Sequence, residues 1–119
     1  MSESDLKLRT KAFAVRILKL VDALPKSMSA RALGAQIVRS GTAVAANYRA
    51  ARRAKSTAHF ISKLGDVEEE ADETLFWLEL LEESGIMPAK RLSALTQEAN
   101  ELVAIVVSSI NTAKRRREK

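Results

Sequence analysis

The stretch STAHFISKLGDVEEEADETLFWLELLEESG, residues 56–85, reads as one long helix with marked ends. Ser56 stands where an N-cap hydroxyl would accept a hydrogen bond from the first turn. Gly85 stands where a helix ends in the left-handed conformation. Between them Phe60, Leu64, Val67, Ala71, Leu75 and Leu78 recur at helical spacing and make an inner stripe. Phe76, Trp77 and Leu80 fall outside that stripe. The segment also carries a reversal of charge. From Ala23 to Gly65 there is no Asp or Glu but eight Lys or Arg; from Asp66 to Glu83 there is no Lys or Arg but nine acids. Two adjacent helices of opposite charge follow, which suggests self-assembly or a basic surface offered to a polyanion.

The flanking segments repeat the helical period. Helix one is predicted from about Ser4, as N-cap, to Leu24, with Pro25 closing it. Leu6, Phe13, Ile17, Leu20, Val21 and Leu24 share one face, and Leu8, Val15 and Leu18 share another. Helix two is predicted from near Ser29 to about Arg53, striped by Leu33, Ile37, Val44 and Tyr48. Gly34, Gly41 and several Ala nearby would let a neighbouring helix approach closely. Pro88 fits the first turn of helix four, whose stripe runs from Leu92 to Ile110. The basic tail KRRREK, residues 114–119, is expected to fray, leaving an ordered core of about 4–113. Short connections make consecutive helices antiparallel neighbours. The fold class is all-α, an antiparallel up-down-up-down four-helix bundle.

Composition bounds the rest. At 119 residues the chain is one domain, and a chain of this size buries roughly 65% of its unfolded surface. Hydrophobic residues make up 46%, so it should fold, and only four Gly and two Pro interrupt it. There is no cysteine, hence no disulfide and no thiolate metal site, which fits a reducing cytosol. No secretory signal and no bilayer-length apolar run is visible, so the expected localisation is cytoplasmic, without a membrane. A formal net charge of +5 is mildly basic.

Catalytic chemistry finds little support. The one histidine, His59, falls in the first turn of helix three and reads as a surface or interface polar group. No Ser sits in a strained strand-to-helix turn. The run Glu68–Glu73 invites comparison with di-iron bundles, but those need two Glu-x-x-His pairs, and neither exists here. Glu69 and Glu73 read as a solvated acidic face. The isolated glycines build no phosphate-cradling loop. No catalytic residue, metal site or cofactor is assigned.

Two features point to binding. Large apolar residues grouped by face on helices one and three (Leu8, Val15 and Leu18; Phe76, Trp77 and Leu80) exceed what one core needs and favour a subunit interface over scattered surface hydrophobes. On helix two Arg31, Arg39, Arg49 and Arg53 lie broadly opposite the apolar stripe, Arg52 and Lys55 extend the patch toward the turn, and the Arg-rich tail at 114–119 adds to it. Arginines so placed could track phosphates. The competing expectation is that acids of helix three neutralise them. Arg39 lies nearer the core boundary and is expected to form a partly buried structural pair with Glu70 or Glu73.

The blocks QIVRSGT (36–42), NYRAA (47–51), HFISKL (59–64), EEADETLFWLELL (69–81) and ESG (83–85) carry a resemblance. Across about residues 6–113 the chain resembles the bacterial four-helix-bundle proteins named for open reading frames inside 23S rRNA intervening sequences. Arg39-Ser40-Gly41-Thr42 and Glu70-Ala71-Asp72-Glu73-Thr74, with Trp77, are the most specific matches. The resemblance implies a bundle protomer and a closed five-subunit ring. A distant branch, the accessory variability proteins of diversity-generating retroelements, binds nucleic acid and a reverse transcriptase through a basic surface. Relatives tend to have Glu-Gly at 50–51, Lys at 57, Cys at 52 and an acid at 59, where this chain has Ala50-Ala51, Thr57, Arg52 and His59. The expectation is therefore a cytoplasmic, non-enzymatic homo-oligomer, a pentamer, that binds RNA or DNA through the backbone. The alternative is a scaffold whose basic surface docks an acidic protein.

Overall fold

Hydroxyl caps and one glycine set the helix boundaries. In the computed structural model, which describes residues 3–118, the elements are α1 (Glu3–Asp22), α2 (Met28–Arg52), α3 (Thr57–Glu83) and α4 (Ala89–Glu118). Ser56 Oγ accepts from the His59 N–H at 3.0 Å and starts α3. At its far end Gly85 takes φ +75°, and the Ile86 N–H returns to the Leu81 carbonyl. That turn drives Met87 into the core. Ser27 caps α2, which begins at Met28, one residue before the expected start near Ser29: its hydroxyl accepts from Ala30 N–H at 3.1 Å. The backbone is already helical at Glu3, so Ser4 lies within α1 and does not cap it. The basic tail is helical in the described residues. It continues α4 to Glu118, with Arg115, Arg116 and Arg117 in the last turn, where cations complement the helix dipole.

Each helix buries its expected stripe against a shared core. Phe13, Ile17, Ile37, Leu64, Leu78 and Leu102 are fully buried. Helix α1 packs on α2, α2 on α3 and α3 on α4, while α4 touches α1 more lightly. The result is an antiparallel up-down-up-down bundle of 52 × 21 × 19 Å, in which α1 and α3 occupy diagonal corners and their backbones are not neighbours.

One turn of α2 holds both neighbours. Arg39 reaches across to α3, with Nη1 3.2 Å from Glu70 and Nη2 bonded to Glu73. Ser40 is fully buried, its Oγ 2.8 Å from Thr74 Oγ1, and the Thr74 hydroxyl also reaches the Glu70 carbonyl at 2.7 Å. Gly41 faces the other way, onto α1. A Cβ there would lie 2.7 Å from the Ile17 side chain. The Thr42 hydroxyl donates back to the Val38 carbonyl at 2.6 Å. The Arg39 guanidinium is more exposed than expected, at 49% for the side chain, because Glu70 and Glu73 lie along the rim of the seam.

A second ion pair closes the seam where packing is thinnest. Arg9 of α1 grips Glu98 of α4 with Nε at 3.0 Å and Nη2 at 2.6 Å, and Nη2 also lies 3.4 Å from Glu101. The two partners are 26% and 17% exposed. The hydrogen bonds that Arg9 donates to Glu98, and the charge of that carboxylate, raise the Arg9 pKa above its ordinary value. Such fork geometry is the stronger form of an ion pair.

Two tests follow from this packing. Gly41→Ala should destabilise the fold by about 1–3 kcal/mol, because Ile17 must move. Gly65→Ala, in a helix interior with nothing within 4 Å of a new Cβ, should stabilise it by up to about 1 kcal/mol. Urea denaturation of both variants reads the difference, and equal midpoints would refute the close-approach account. In the same assay Arg9→Ala should cost more than Arg39→Ala. The half-exposed Arg39 pair is worth up to about 1 kcal/mol. The shielded, two-pronged Arg9 pair is worth about 1.5–3 kcal/mol.

Candidate nucleic-acid interface

An antiparallel α-hairpin places the start of its first helix beside the end of its second. Here that geometry sets Lys7 and Lys11 of α1, one turn apart, beside Arg49, Arg52 and Arg53 of α2. The five cationic side chains line a cleft of about 640 Å³ floored by Ala45 and Ala46. All five cations are exposed. No carboxylate lines the cleft among the described residues. Arg52 also interacts within the chain. Arg49 and Arg52 stand in the last turn of α2, where they complement the helix dipole as well.

Of the basic residues singled out in the sequence, the fold brings Arg49, Arg52 and Arg53 together. Lys55 follows in the α2–α3 turn, beside Ser56 and Thr57 in a smaller depression of about 300 Å³. Arg31 is elsewhere. It flanks a shallow groove with Pro25 and Lys26, about 27 Å from Arg49 along α2 at the ordinary helical rise. Lys7 and Lys11 escaped the sequence reading, although the hairpin rule and their spacing of four would have placed them. The acids of α3 engage Arg39 and, locally, Lys63; among the described residues they form no salt bridge with Arg31, Arg49 or Arg53.

The outward apolar residues divide into two kinds. Leu8, Val15, Leu18 and Phe76 are about half exposed or more. Trp77 and Leu80 are only partly exposed, and Trp77 packs against the core from the side. Phe76 and Trp77 meet edge to face at 5.1 Å. The Trp77 Nε1–H is buried with no hydrogen-bond partner among the described residues. Leaving such a donor unpaired costs about 1–3 kcal/mol. The His59 N–H serves the α3 cap, and its Nδ1 lies 3.4 Å from the Lys55 N–H. Among the described residues no group of three or more His, Asp or Glu could hold a metal ion, and no helix is long and apolar enough to cross a membrane.

Residues 3–108 match the family described as 23S rRNA-intervening sequence protein. A solved structure from Bacteroides thetaiotaomicron, a protein of unknown function from the S23 ribosomal protein family, is similar to this chain. It is 34% identical, with a TM-score of 0.87, over 93% of this chain and 99% of that one. No curated protein matches.

Proposed function

The chain belongs to the 23S rRNA-intervening sequence protein family, and on that premise we propose that it is a non-enzymatic homo-oligomer that binds nucleic acid through the phosphate backbone. The observation that carries this reading is the α1–α2 cleft, lined by Lys7, Lys11, Arg49 and Arg53, with Arg52, which also interacts within the chain, and by no carboxylate among the described residues. Like charges crowded together repel one another and favour a bound polyanion. Guanidinium groups take phosphate oxygens two at a time, and each phosphate neutralised releases counterions. Among the described residues no strand or finger is available to enter a groove and read base edges, so binding is sequence-tolerant.

Assembly is the second part. The half-exposed Leu8, Val15 and Leu18 lie on α1 and the half-exposed Phe76 on α3, at diagonal corners of the bundle. A patch on one corner that meets a different patch on the next copy makes a heterologous contact, the kind that closes rings. The resemblance noted in the sequence makes five the expected number. A ring repeats the cleft, so long polyanions gain avidity over short ones.

Salt-dependent binding tests the first part. Log affinity for RNA or DNA should fall with log salt by roughly 0.7–0.9 per phosphate engaged. Arg49→Ala with Arg53→Ala should flatten that slope by one to two such steps for all sequences alike. Arg31→Ala should leave it unchanged. Absence of binding at low salt would reject the reading and favour a protein-docking scaffold. Sedimentation tests the second part: one species larger than a dimer is expected, and a monomer at micromolar concentration would reject the ring.

A further inference from the structure

The cleft and the outward face of α1 share a residue. Val15 stands mid-face, with Lys11 one turn before it and Lys19 one turn after. Lys11 also lines the cleft, one turn beyond Lys7. Thus the apolar row Leu8–Val15–Leu18 runs along the edge of the basic cleft, with Lys11 common to both. The outward face of α3 is the electrostatic complement. Phe76 is flanked by Asp72 and Glu79, one turn to either side, and Glu69 and Glu83 lie a further turn away. All four acids are exposed. An apolar row set between Lys11 and Lys19 on α1, and an apolar centre at Phe76 set among carboxylates on α3, fit a second copy of this chain as the occupant of α1.

We infer that self-association and phosphate binding are antagonistic: the acidic α3 face of a neighbouring copy and a nucleic-acid backbone compete for Lys11 at the edge of the cleft. The inference rests on the function proposed above and assigns the regulation of that same site. An α3 face laid over Leu8, Val15 and Leu18 brings its carboxylates against Lys11 and Lys19. It also sets them beside the remaining cations, within the screening length of about 8 Å at physiological salt. Those carboxylates repel phosphates and occupy one of the five positive groups. Coupling of this kind is reciprocal, so a polyanion bound in the cleft weakens the subunit contact to the same degree. Protein that is free of nucleic acid is then the more fully assembled form. A long polymer regains affinity by engaging several copies, whereas a short one does not.

The test uses the full chain and Phe76→Gln, which lies on α3, diagonally away from the cleft. The probe is a labelled RNA duplex too short to reach two copies. At a concentration where the wild type is assembled, Phe76→Gln should be smaller by sedimentation and should bind the duplex at least about fivefold more tightly, the lower end of ordinary couplings between sites. Titrating duplex into the wild type should shift it toward smaller species. Three results would overturn the inference: Phe76→Gln that stays assembled, a dissociated Phe76→Gln with unchanged affinity, or duplex binding that leaves the wild-type assembly intact. Failure of both proteins to bind the duplex would instead overturn the phosphate-binding reading, and this coupling with it.

Discussion

The turn of α2 from Arg39 to Thr42 is the constraint on which the bundle depends. Its successive side chains face different neighbours, so one turn fixes α2 against α3 and α1 at once. Ser40 spends its hydroxyl on Thr74 in a fully buried pair, and that pair sets the register of α2 on α3. A buried hydroxyl left alone would cost more than the pair contributes, so slippage is penalised. Gly41 sets the distance to α1, because any side chain would meet Ile17. The closeness of that approach brings the start of α1 up to the end of α2. The basic cleft is a consequence of it: Lys7 and Lys11 face Arg49 and Arg53 because the hairpin is tight.

Much of this fold is legible in the sequence where punctuation is unambiguous. Ser56 and Gly85 frame α3 because each is an isolated strong signal with a helical stripe between. The start of α2 is less legible, since Ser27 and Ser29 are both plausible caps and only geometry shows which hydroxyl meets the Ala30 N–H. The two blocks that carry the sequence resemblance, RSGT and EADET, are opposite sides of one seam. Arg39 meets Glu70 and Glu73 there, and Ser40 meets Thr74. Local pattern cannot reveal the Arg9–Glu98 clamp, whose partners are 89 positions apart. Trp77 lies beyond the period-based stripe, yet its ring is wide enough to reach the core from the side. Arg31 shares a helix face with Arg49 in projection, but projection discards the distance along the axis.

The charge reversal between α2 and α3 has a division of labour within the protomer. One arginine, Arg39, takes acids of α3 at the seam, while the arginines at the end of α2 look into the cleft. Glu69, Asp72, Glu79 and Glu83 of α3 face outward around Phe76, on the corner diagonal to α1. Among the described residues the opposite charges of α2 and α3 pair with one another only through Arg39, at the rim of their seam, and are otherwise separated on the outside of the bundle. Separation of this kind gives a protomer two unlike faces, and unlike faces suit a directional contact between copies.

The most direct test of the account is to locate the contact on the intact protein. RNA carrying a photoreactive group can be crosslinked to the wild type and the modified peptides mapped by mass spectrometry. The account expects crosslinks in two segments only, around Lys7–Lys11 and around Ala45–Arg53. Crosslinks concentrated instead on Arg31 or on the helical tail at Arg115–Arg117 would contradict it.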